Sequence, residues 1–135
     1  MGTFIIGSKL PCELTSNDIP KKADACERIF KKAIANEEKL FTTELVVAEI
    51  VWVLESYYEL TRKDIQDKVE KILNTPNLIC PHKDLILEAL TLYGEVNIDY
   101  IDAYNALVLK GESIEILYSY DKHYDKIGWL KRFEP

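Results

Sequence analysis

The sequence predicts an α/β domain of three layers, with helices covering both faces of a mainly parallel sheet. Three observations predict it. Short apolar runs alternate with helical patterns along the whole chain, and the helical segments are long enough to act as crossovers between parallel strands. At 135 residues, 47% hydrophobic and 10% aromatic, the chain can fill one core and has the size of a single domain, 1–135. No repeat, low-complexity tract or linker divides it.

The elements follow in order. Phe4-Ile5-Ile6, ending at Gly7, reads as a first strand. Asn17-Asp18-Ile19-Pro20 is a helix-start signal. The helix from Lys21 to Ala35 then places Ala25, Ile29, Phe30 and Ala33 on one stripe. Leu40-Phe41-Thr42 is a second strand, and Glu44 to Tyr57 a strong helix. Thr61 caps an amphipathic helix to Leu73, with Ile65, Val69 and Ile72 on one face. Asn77 to Cys80 is a third strand, and Lys83 to Tyr93 another helix. Asp99 to Leu109 is a further helix, ended by Lys110-Gly111. Ile114 to Tyr118 forms a fourth strand, and Trp129 to Phe133 an edge strand.

Composition narrows the function classes. The net charge of −6 is unlike a protein that only grips a nucleic-acid backbone. It suits one that gathers carboxylates around metal. No apolar run approaches the roughly 20 residues that span a bilayer, and Met1 to Leu10 is short for a signal peptide, so a soluble cytoplasmic protein is expected. Cys12, Cys26 and Cys80 are widely spaced and odd in number, with no zinc pattern. They read as free thiols in a reducing compartment. With five glycines and neither GxGxxG nor GxxxxGK[ST], a nucleotide-binding phosphate loop is not expected. A receiver-type signalling domain would need paired acids after its first strand, and Phe4 to Gly7 offers none.

Three acids draw attention, because ligands in such folds bind beyond the carboxyl ends of the strands. Glu49 lies in Leu45 to Leu54, a segment apolar all round and so expected to be largely buried. A carboxylate there needs a lysine or arginine partner, or a metal. Asp102 falls in the first turn of a helix that Asp99 caps; both complement the helix N-terminus, and Asp102 also points from the strand-end rim. Asp121 follows the fourth strand, with Ser119 two residues before it, and as a lone residue reads as a turn Asp. Together, three carboxylates at one rim repel, and a hard divalent cation such as Mg²⁺ or Mn²⁺ would hold them. Metal-assisted phosphodiester hydrolysis is the reaction class such a site favours.

In order, these motifs resemble the PIN-domain family, above all its branch of VapC-type toxin endoribonucleases. Leu45 to Leu54 resembles the helix carrying that family's Glu. Asp99-Tyr100-Ile101-Asp102-Ala103-Tyr104-Asn105-Ala106 resembles the segment of its third acid. Ile116 to Asp125 resembles its strand and Ser/Thr-x-Asp loop, and Asn17 to Ala25 the opening of its first helix. The 19 residues from Asp102 to Asp121 suit a helix-to-strand crossover. The resemblance implies that Glu49, Asp102 and Asp121 are catalytic metal ligands. It implies that Ser119 supports them by hydrogen bonding, and that Asp99 and Asp125 are caps or outer acids. It also implies a homodimer and an antitoxin whose basic side chain enters the acidic pocket.

One departure stands against the family pattern. The family opens with a strand followed by Asp-Thr-Asn or Asp-Ser-Asn, where this chain has Gly7-Ser8-Lys9. Only Ser8 fits. Gly7 removes a ligand, and Lys9 adds an ammonium that can neutralise Glu49 or Asp121. Two functions are therefore expected: a weakened Mg²⁺-dependent ribonuclease, or an impaired PIN-like module that binds RNA or protein. Lys110, Lys122, His123, Lys126, Lys131 and Arg132 are either phosphate-holding groups, Lys122, His123 and Lys126 foremost, or a solvated surface. Tyr118, Tyr120 and Tyr124 either stack on bases or are partly buried by strand alternation.

Overall fold

The computed structural model describes residues 3–5 and 20–135, with side-chain surroundings from residue 27 onward. Gly7, Ser8 and Lys9 lie outside the described residues, as does the capping segment before Pro20. The chain falls into two compact units, Met1–Lys83 and Asp84–Pro135.

The first unit is a three-stranded parallel sheet with its crossover helices. The strands are β1 (Thr3–Ile5), β2 (Lys39–Phe41) and β3 (Leu78–Ile79), in the order β1-β2-β3. Thr3 pairs with Lys39 and Leu40 with Leu78. Helix α1 (Pro20–Ile34) connects β1 to β2. Helices α2 (Glu44–Ser56) and α3 (Arg62–Leu73) connect β2 to β3. Thr43 and Thr61 cap the latter two, accepting from the N–H of Val46 at 3.3 Å and of Asp64 at 3.2 Å. The expected strand start at Asn77 moves to Leu78. Asn77 takes a left-handed turn (φ 64°), and its amide donates to the Ala33 carbonyl at 2.8 Å, so this residue ties the end of α1 to β3.

Helix α2 corrects one expectation. It is buried on a single stripe, Val47, Ile50, Val51 and Leu54, while Leu45 and Trp52 are 83% and 66% exposed and Glu49 is exposed with them. The reason is geometric. Four residues at helical spacing cover one face, and apolar character on the opposite face does not by itself bury it.

The second unit contains α4 (Lys83–Glu95, its first residue closing the preceding unit), α5 (Tyr100–Gly111), and the parallel pair β4 (Ile116–Tyr118) and β5 (Lys131–Phe133). The expected edge strand thus pairs with β4, Ile116 against Lys131 and Tyr118 against Phe133. A 3₁₀ turn, Lys122–Lys126, lies in the connection. Ile86, Leu90, Tyr93, Ile98, Ala103 and Ala106 are buried here. The expected stop at Gly111 is also corrected. Gly111 is the last helical residue, and the left-handed position falls on Ser113 (φ 58°). All strand pairs described are parallel, as the alternating pattern requires.

Cys80 is a free, buried thiol whose pKa is pushed up by that burial. No described helix is long and apolar enough to cross a membrane.

Candidate metal centre

The site is built from two adjoining pieces of the second unit, the start of α5 and the loop after β4. Asp99 holds the N-cap position of α5 in extended backbone (φ −68°, ψ 152°), yet its side chain makes no capping hydrogen bond. Asp102 stands in the first turn behind it, with its side chain 13% exposed.

The loop is set by short-range hydrogen bonds. The Ser119 N–H donates to the Phe133 carbonyl at 3.0 Å, which extends the β4–β5 pairing by one residue. The Ser119 hydroxyl oxygen then accepts from the Asp121 N–H at 3.0 Å. Asp121 in turn caps the 3₁₀ turn, its Oδ1 accepting from the His123 N–H at 2.9 Å. A polar residue followed two positions later by Asp is what such a turn needs. Ser119 therefore fixes the backbone of Asp121 by hydrogen bonding.

The two pieces meet at Asp102 and Asp121. Burial pushes the Asp102 carboxyl above its ordinary value, and a hydrogen bond shared with the Asp121 carboxylate adds to this. Tyr124 opposes the rise by hydrogen bonding to Asp102, and Asn105 donates to the Tyr124 hydroxyl at 3.3 Å. Asp121 shifts the other way. The His123 backbone N–H is the main cause of its lowered pKa. The two carboxyls are thus shifted in opposite directions, as expected of two acids in one small space.

His123 completes the cluster. Its Nδ1 lies 3.3 Å from Asp121 Oδ1, 3.6 Å from Asp102 Oδ2 and 3.9 Å from Asp99 Oδ2. Ligand atoms of Asp99, Asp102 and His123 all fall within 4.8 Å of one another. Asp102 Oδ2 is buried and has no hydrogen-bond partner among the described residues. An oxygen in that state is costly unless a cation or donor meets it. These residues fit a divalent cation and are placed to hold one.

Glu49 is on the exposed face of α2 in the first unit, so its part in the site rests on the resemblance. Asp125 is taken by Arg132 in a two-pronged pair at 2.8 and 3.1 Å, which lowers its pKa. Arg132 also donates to the Ser119 carbonyl at 3.0 Å. It therefore braces the loop, where the sequence left it between a phosphate-holding group and a solvated surface. Lys126 donates to the Asn97 carbonyl, and Lys110 sits over the Trp129 ring at 4.6 Å. Tyr124 is buried, while Tyr118 and Tyr120 are exposed. Sequence reasoning grouped His123 with the phosphate-binding side chains. The Asp-x-His spacing at 121–123 was the available signal, because an Asp carboxylate bonds the backbone N–H two residues on and so keeps that residue close to it.

Comparison with known proteins places this geometry in context. A family model described as "PIN domain" matches residues 21–130. The chain is similar to a VapC ribonuclease of Aquifex aeolicus (strain VF5), 31% identical over 109 residues and covering 81% of each protein. A crystal structure of Mycobacterium tuberculosis VapC20, described as a Sarcin-Ricin loop cleaving toxin, aligns with 94% of this chain and 95% of its own at 15% identity, with a TM-score of 0.39.

Proposed function

The chain belongs to the PIN-domain family, and from that premise we propose that it is a divalent-metal-dependent endoribonuclease of a toxin–antitoxin pair. The observation that carries this reading is the Asp102–Asp121 pair, with a buried Asp102 oxygen that has no partner among the described residues. The VapC ribonuclease relative supports the substrate class. Asp102 and Asp121 are the ligands within the cluster, Glu49 is the third catalytic acid, and Asp99 and Ser119 support them. The cation is Mg²⁺ or Mn²⁺. When bound, it supplies activation of water and offsets charge developing on the phosphodiester. The chain's own part is positional. Ser119 holds Asp121, Tyr124 and Asn105 orient Asp102, and the Arg132–Asp125 pair braces the loop.

Residues 1–135 form a single PIN-like domain in this reading, since the family match runs through both units. The protein is cytoplasmic, forms a homodimer and pairs with an antitoxin protein whose basic side chain meets the acidic pocket. Lys122, His123 and Lys126 border the RNA.

The experiment is RNA cleavage in Mg²⁺ or Mn²⁺, with and without chelator, for the chain and for Asp102→Asn and Asp121→Asn. Cleavage is expected with metal and lost in both variants. Cleavage that survives both substitutions would refute the reading. A second reading, an impaired module that binds RNA or protein, is favoured by Gly7 and Lys9 at the family's Asp and Asn positions. Gly7→Asp with Lys9→Asn should raise cleavage if the site is weakened there, and an unchanged rate would count against that weakening.

A further inference from the structure

We propose that His123 is itself a ligand of the cation, making the centre a mixed imidazole–carboxylate site that binds Mn²⁺ more tightly than Mg²⁺. The inference rests on the metal-dependent reading above and goes beyond it, since that reading needs only carboxylates.

The geometry argues for ligation over simple pairing. Nδ1 stands 3.3, 3.6 and 3.9 Å from oxygens of three different acids. A good N–H···O bond falls at about 2.7–3.2 Å, so the ring is centred on none of them. Donors sharing an octahedral cation with bonds of about 2.1 Å lie about 3 Å apart when adjacent and about 4.2 Å when opposite. The observed separations, all within 4.8 Å, approach that spacing. The oxygen of Asp102 nearest the ring is the buried one that lacks a partner among the described residues. A cation between the two would satisfy both. The ring is also delivered by a fixed piece of backbone, because Asp121 Oδ1 holds the His123 N–H.

The donor set decides the preference. Mg²⁺ favours oxygen and keeps its waters. An imidazole nitrogen favours first-row transition metals over Mg²⁺, and carboxylates accept Mn²⁺ readily.

The test uses the full chain, stripped of metal and titrated with Mn²⁺ or Mg²⁺ by calorimetry. Spin-echo spectroscopy of the Mn²⁺-loaded protein reports a directly bound imidazole nitrogen and needs no variant. Wild type should bind Mn²⁺ at least tenfold more tightly than Mg²⁺ and show the nitrogen signal. His123→Ala should lose the signal and most of the Mn²⁺ preference while Mg²⁺ affinity changes less than threefold. The His123 side chain is 47% exposed, so the variant should fold, with its metal-free melting temperature as the check. A wild-type spectrum without imidazole nitrogen, or equal losses for both metals in the variant, would overturn the proposal. Cleavage assays separate the two readings. RNA cut in a metal-dependent way without the nitrogen signal sinks only the ligand assignment. The signal without cleavage sinks only the nuclease.

Discussion

A single oxygen of Asp121 faces His123 twice: Oδ1 accepts the His123 backbone N–H at 2.9 Å and lies 3.3 Å from the ring Nδ1. One carboxylate thus meets both the backbone and the side chain of one residue, and the backbone N–H of Asp121 is held in turn by the Ser119 hydroxyl oxygen. The consequences of this arrangement can be measured.

Asp102→Asn should stabilise the metal-free protein at neutral pH. Burial raises the Asp102 pKa in the folded state, so ionisation at neutral pH opposes folding, and the penalty disappears as pH falls through the ordinary carboxylate range. The variant should gain roughly 0.5–2 kcal/mol at pH 7 and nothing near pH 3. Saturating Mn²⁺ should reverse the order, because only the wild type is stabilised fully by the ion. Thermal melts across pH, with and without Mn²⁺, test this. A variant less stable at pH 7 without metal contradicts it.

Ser119→Ala removes the acceptor of the Asp121 N–H. The loss should cost about 1 kcal/mol of stability and weaken cation binding by about 10- to 100-fold, as expected when a ligand's support is lost. Calorimetric titration with Mn²⁺ reads the second effect. Unchanged affinity would show that Asp121 keeps its place without Ser119.

Arg132→Lys should break the fork on Asp125 and the contact to the Ser119 carbonyl. Arg132 lowers the Asp125 pKa. That pair therefore supports the fold above the ordinary carboxylate range and loses its effect as pH falls through the lowered value. In the variant, the Asp125 carboxyl resonance should titrate closer to an ordinary aspartate. An unshifted titration would mean that the fork is not its cause.

Gly111→Ala should stabilise α5. Gly111 is helical, has no positive φ, and an added methyl meets nothing within 4 Å. The gain should be about 0.5–1 kcal/mol. Ser113→Gly should add about 1 kcal/mol by relieving a left-handed backbone. Denaturant melts of the two variants check both signs.

The pattern of short apolar runs and amphipathic helices determined the order and type of the described elements, because periodicity and capping are local properties. Thr61 acts through a partner three residues away, so its capping role was legible in the chain. The exposure of Glu49 and Trp52 was not, because which stripe of α2 is covered depends on what packs against it. Nor was the place of His123 among Asp99, Asp102 and Asp121, or the use of Arg132 as a brace. The contacts of His123 with Asp99 and Asp102, and of Arg132 with Ser119, join separate elements of the fold. Only the folded chain, through burial and distance, decides which charges meet and which oxygen is left for a cation.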